Sequence, residues 1–264
     1  MNFDSSGDAV YGEGMMSAKL PSKGQWHKAS KRKFEETILL VPFFAAEKRN
    51  LHRHVEYLNE LGFDVVTFEL RDDWDKIAFN LFSARMKFGL KYVWADQIEG
   101  LLNDIPGNKI VFSFSNPTAS AIEAIGRRRA TDIKGLIADG GPSSQLYHSM
   151  MNFFTHEQPI HFYPLKALAS ITTASTWHPH FLRVIHEDLE KFPKGFRILS
   201  IRGWKDPLIT PKMIDQVFES HLQLDWQKLS LPEGKHLNGL KDFADDYKPV
   251  VTQFLTEIAT PLRK

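Results

Sequence analysis

The chain contains no cysteine, and that absence removes thiol nucleophiles, thiolate metal sites and disulfides together. Charge of either sign is also missing in excess. With 33 basic against 32 acidic side chains, there is no global field to draw in a polyanion, and the basic residues are scattered instead of forming a stripe, so nucleic acid is not an expected partner. No apolar run approaches the ~20 residues that a bilayer-crossing helix needs. Residues 1–14 are polar and acidic, without the basic and then apolar pattern of a secretory signal, so a cytoplasmic location is expected. Internal repeats and low-complexity stretches are absent as well.

What is present fits one globular unit of 264 residues with 42% hydrophobic side chains, enough to fill a single large core. Residues 1–34 are rich in Gly, Ser and Lys and read as an extension that adds an edge strand or stays partly disordered; the run Lys28, Lys31, Arg32, Lys33 is a solvated lead-in. A regular alternation then begins. Thr37–Val41 is a short continuous apolar run stopped by Pro42, as expected of a parallel strand covered on both faces. Leu51, Val55, Leu58 and Leu61 recur at helical spacing up to Gly62, a suitable C-terminal cap, and Phe63–Phe68 is the next strand.

The same rhythm predicts strands at 109–114, 133–139, 196–201 and 227–231, and helices near 91–102, 117–127, 211–221 and 247–262. Residues 145–195 interrupt it. The expected architecture is therefore a doubly wound, mostly parallel α/β sheet over residues 35–264, with a helical cap inserted at about 145–195.

In open parallel sheets, sites form beyond the carboxyl ends of the strands. Three such ends carry reactive side chains in the order Ser, Asp, His: Ser113-Phe114-Ser115-Asn116-Pro117, Gly203-Trp204-Lys205-Asp206-Pro207-Leu208-Ile209-Thr210-Pro211, and Pro232-Glu233-Gly234-Lys235-His236. In these segments the chain resembles the α/β-hydrolase superfamily, from about residue 36 onward. The resemblance implies Ser115 as nucleophile, Asp206 as acid and His236 as base. It further implies an oxyanion hole from the N–H of Asn116 and one from the loop after the first core strand, at Phe44 or Phe43.

The segments Glu35–Val41, Phe43, Phe44, Arg49, Glu56-Tyr57-Leu58 and Leu61–Val65 also look like the acyl-carrier-protein thioesterases of bacterial light-producing operons. That similarity points to a long acyl group and, as a partner, an acyl-carrier protein.

Two segments depart from the superfamily pattern. Ser113 and Pro117 stand where the elbow usually has glycine, and Pro117 pushes Asn116 away from helical geometry. Pro42-Phe43-Phe44 replaces the common His-Gly. The expected activity is cleavage of a carboxylic ester or thioester through an acyl-serine. A non-catalytic binding protein of the same fold and an acyltransferase using the same three residues remain as alternatives, and Asp139 is an alternative acid.

Within the insertion, Tyr147, Met150, Met151, Phe153, Phe154, Phe162, Tyr163, Leu165, Leu168 and Trp177 either pack a helical cap onto the sheet or line an acyl-sized pocket over Ser115; Met150, Met151, Phe153, Phe154 and Trp177 are expected as substrate-binding residues. Six histidines fall there too, of which His178 and His180 could pair on a metal. Without cysteine or a helical His-x-x-x-His pair, neither a metal nor an organic cofactor is implied.

Overall fold

The computed structural model describes residues 24–46, 48–71 and 89–263. Residues 1–23 of the expected extension therefore lie outside the described residues. Strands β1 (Gln25–His27), β2 (Thr37–Val41), β3 (Asp64–Thr67), β4 (Lys109–Phe114), β5 (Ile133–Asp139), β6 (Arg197–Gly203) and β7 (Asp225–Leu231) form one sheet in the order β1-β3-β2-β4-β5-β6-β7. Among the described strands, β1 runs antiparallel to β3 and the other strand pairings are parallel. Lys28 and Arg32, just after β1, both pair with Asp64 at the start of β3, so part of the basic run is tied to the sheet.

Helices α1 (His52–Leu61), α2 (Leu90–Asp104), α3 (Thr118–Arg127), α4 (Leu146–His156), α5 (Tyr163–Trp177), α6 (Phe181–Leu189), α7 (Pro211–Phe218), α8 (Gly239–Asp242) and α9 (Ala244–Ile258) supply the outer layers. Successive side chains of a strand point to opposite faces. Accordingly Leu39, Val66, Val111 and Ile198 pack under Ile98 of α2, Ile122 and Ile125 of α3, Ile185 of α6 and Ile214 of α7. Ile38, Val65, Ile110, Phe112 and Leu199 face Val55 and Leu58 of α1 and Val251 and Phe254 of α9. Both faces of the central strands are therefore dry, which explains why their sequences are continuous apolar runs.

The interruption at 145–195 contains three helices of two kinds. α6 packs against α3 and α7, as a crossover helix between β5 and β6 does, whereas α4 and α5 pack against each other. Phe162, Tyr163, Leu165 and Leu168 are exposed on this pair instead of buried. Among the described residues no helix is long and apolar enough to cross a membrane.

Strand register decides where chemistry can gather. Phe114 pairs with Asp139, and Asp139 with Ile201, so the residues that follow β4, β5 and β6 leave the sheet side by side.

Candidate active site

Ser115 follows β4 in a left-handed conformation, φ +57°, which an L-residue adopts only at a cost of roughly 1–2 kcal/mol. Its surroundings hold it there. Its N–H donates to the Asp139 carbonyl at 2.8 Å, and Thr118 N–H returns to the Ser115 carbonyl at 3.1 Å to open α3. Gly141 packs directly on this turn: a Cβ there would lie 2.3 Å from the Ser115 carbonyl oxygen. The small residue that lets the turn tighten thus comes from the neighbouring strand end, with Ser113 and Pro117 flanking the elbow. Pro117 itself is in a helical conformation (φ −56°, ψ −16°) immediately before α3, a position where its missing N–H costs little.

The loops after β6 and β7 are laced together. Trp204 N–H donates to the Leu231 carbonyl at 3.0 Å and Lys205 N–H to the Gly234 carbonyl at 2.9 Å. A Cβ on Gly203 would fall 2.3 Å from that same Gly234 oxygen, so glycine permits the close approach. This lacing presents Asp206 to His236. The Asp206 Oδ2 lies 2.7 Å from His236 Nδ1, while Oδ1 accepts the N–H groups of Leu208 and Ile209 at 2.7 and 2.9 Å. On the other edge of the ring, His236 Nε2 is 3.1 Å from Ser115 Oγ. Three residues from three strand ends, separated in sequence by the whole α4–α6 region, form one hydrogen-bonded line.

Asp139 does not reach this line through its side chain. Its carboxylate accepts the Tyr247 hydroxyl at 2.7 Å, and Tyr247 in turn sits 3.4 Å from His54 Nε2. Burial raises Asp139 to about 6 against the opposing pull of the Tyr247 hydroxyl, and burial lowers His54 to about 3, leaving a neutral imidazole. The geometry gives His236 only Asp206 as its carboxylate.

Over Ser115 and His236 lies a cavity of about 400 Å³. Phe43, Phe44, Met150, Phe153, Trp177 and Leu208 supply apolar lining, and Asn50, Glu157, Asn238 and Lys241 polar lining. Phe44 is held by edge and tilted contacts to Trp94, Phe153 and Trp177 with ring centroids 5.9–6.2 Å apart. Of the five apolar residues expected to line a pocket, Met150, Phe153 and Trp177 do so; Met151 and Phe154 do not border this cavity. Each is one residue, about 100° of helical turn, beyond a lining residue of α4. The N–H groups of Asn116 and Phe44 have no hydrogen-bond partner among the described residues.

The His178 and His180 rings lie with their centroids 6.3 Å apart. His178 Nδ1 accepts the His180 main-chain N–H at 3.0 Å. Among the described residues no group of three or more His, Asp or Glu side chains is arranged to hold a metal ion.

No protein-family model matches the chain, and no curated protein does. Solved structures do. An esterase of Pyrococcus furiosus superposes with a TM-score of 0.67 at 13% identity, over 90% of this chain and 86% of that one. A hydrolase from Oleispira antarctica gives 0.60 at 15% identity, over 89% and 95%. The α/β hydrolase MGS-MChE2, from a lagoon-sediment metagenome, gives 0.58 at 14% identity, over 95% and 99%. The chain has the α/β-hydrolase fold.

Proposed function

We propose that this protein is a serine hydrolase that cleaves a carboxylic ester or thioester with an apolar acyl group. One observation carries the reading: a serine at a strained strand-to-helix turn within 3.1 Å of an imidazole whose other nitrogen is 2.7 Å from a buried carboxylate. A serine hydroxyl is a weak nucleophile until such a base accepts its proton, and the imidazole needs the carboxylate to fix its tautomer and stabilise its cation.

In this reading Ser115 Oγ attacks the acyl carbon while His236 Nε2 takes the hydroxyl proton. The carbonyl π electrons become an oxyanion, held by the free N–H groups of Asn116 and Phe44. When the carbon–oxygen or carbon–sulfur bond to the leaving group breaks, His236 returns the proton to the departing alcohol or thiol. Water then repeats the sequence on acyl-Ser115, with His236 as base, and releases the acid. Asp206 holds the His236 ring in place and is itself oriented by the Leu208 and Ile209 N–H groups. The acyl chain lies against Met150, Phe153, Trp177 and Leu208, and an acyl-carrier protein is one source of a thioester substrate.

A fluorophosphonate probe tests the reading. Labelling is expected in the wild type and in Ser113→Ala, and none in Ser115→Ala. A folded wild-type protein that takes no label and hydrolyses neither p-nitrophenyl esters nor acyl thioesters contradicts it.

A further inference from the structure

Asn116 occupies two roles with one residue. Its main-chain N–H is free, but its carboxamide is committed on both sides: Oδ1 accepts the Ser143 N–H at 3.0 Å, and Nδ2 donates to Ser149 Oγ at 3.0 Å. Asn116, Ser143 and Ser149 are all at most 3% exposed, and Asn116 and Ser149 both border the cavity over Ser115. Ser143 belongs to the turn after β5, and its hydroxyl accepts the Gln145 N–H at 3.0 Å, just before α4. Ser149 lies on α4 directly before Met150 of the cavity wall.

The elbow has a reason to need this anchor. Pro117 restrains the preceding residue away from helical geometry, and helix α3 starts only at Thr118. The first main-chain bonds of the turn use the carbonyls of Ser115 and Asn116, at 3.1 and 3.0 Å, and leave the Asn116 N–H unheld. A side chain bonded at both ends fixes the Cα to which that N–H is attached.

We propose that Asn116 is a positioning residue whose carboxamide clamps the Ser115–Asn116 peptide to α4. The oxyanion donor and the acyl-binding wall at Met150 and Phe153 then move as one hydrogen-bonded unit. A long acyl chain seated against α4 secures the oxyanion hole, and a short one does so less. The inference rests on Ser115 being the nucleophile, and it assigns to the Asn116 side chain a role separate from its N–H.

The test measures kcat and KM for p-nitrophenyl acetate and p-nitrophenyl decanoate in wild type, Asn116→Ala and Ser149→Ala, with circular dichroism and thermal midpoints alongside. Misplacing one oxyanion donor lowers kcat about 100-fold, the loss expected for Asn116→Ala on both esters. Ser149→Ala, which frees α4 alone, is expected to lower kcat on the decanoate several times more than on the acetate, with KM within about twofold. If Asn116→Ala does not fold, the chain-length dependence in Ser149→Ala decides. Folded variants with kcat on both esters within twofold of wild type overturn the inference, even if their thermal midpoints fall, because that is the behaviour of a purely structural contact. An inactive, unlabelled wild type instead fails the reading of Ser115 on which this one stands, and overturns both.

Discussion

Two carboxylates sit at neighbouring strand ends and meet opposite fates. Asp206, after β6, accepts two main-chain N–H groups on one oxygen and faces the His236 ring with the other. Asp139, at the end of β5, is 4% exposed and has one hydroxyl donor, from Tyr247, so burial lifts it to about 6. Identity and burial are the same in the two places. The difference lies in the donors, because an ionised carboxylate removed from water is tolerable only when several hydrogen bonds replace its hydration. The Leu208 and Ile209 donors fix the Asp206 carboxylate opposite His236 Nδ1, whereas Asp139 helps to hold the turn: its main-chain carbonyl receives the Ser115 N–H.

The largest expected effect breaks the pair apart by activity. Asp206→Asn leaves an amide opposite His236 Nδ1 and stabilises the wrong tautomer, so kcat is expected to fall by about 10⁴. Asp139→Asn is expected to stay within about tenfold of wild type. Steady-state kinetics on one ester compares them, and equal losses would remove the distinction.

A smaller effect sharpens the same contrast through stability. Because burial holds the folded pKa of Asp139 at about 6, above an unfolded value near 3.9, the folded state binds the extra proton between those limits. The stability from this group is therefore fully present below about pH 4 and is lost as pH rises through about 6; the two-unit difference corresponds to roughly 2–3 kcal/mol. Asp139→Asn imitates the protonated side chain and still accepts from Tyr247. Relative to wild type, its midpoint of urea unfolding is expected to rise at pH 8 and to be unchanged near pH 4. A variant destabilised equally at both pH values would show that the charge on Asp139 does not govern its contribution.

Much of this was legible in the sequence because parallel strands buried on both faces advertise themselves. Thr37–Val41, Lys109–Phe114 and Ile133–Asp139 have the bounds their apolar runs and turn residues suggest. β1 carries no such signal: a three-residue edge strand with two exposed side chains has no apolar period to read. The region 145–195 was legible as a helical insertion, but its three helices were not legible one by one. α5 carries apolar residues around most of its surface, including exposed Leu165 and Leu168, and so shows no clean stripe.

At the candidate site, the juxtaposition of Ser115, Asp206 and His236 was legible because each follows a strand, strand ends converge by topology, and the three segments resemble those of α/β-hydrolases. The contacts that support them were not legible. Tyr247 reaches Asp139 across 108 residues of sequence and Asn116 reaches Ser149 across 33, and neither pair has a spacing that marks it. Helical phase on α4 likewise separates Met150 and Phe153 from Met151 and Phe154 only once the helix is set against Phe44.

The central claim is that Ser115 and His236 act as one device, and the double-variant comparison tests it most directly. Rates of ester hydrolysis are measured for Ser115→Ala, His236→Ala and the variant carrying both, each checked for folding. Groups that work as a unit lose nearly everything with the first substitution. The expected result is therefore the same loss, on the order of 10⁵–10⁶ in kcat, in all three proteins. Independent losses that multiply in the double variant, or a folded Ser115→Ala protein that hydrolyses the ester near the wild-type rate, would contradict the account.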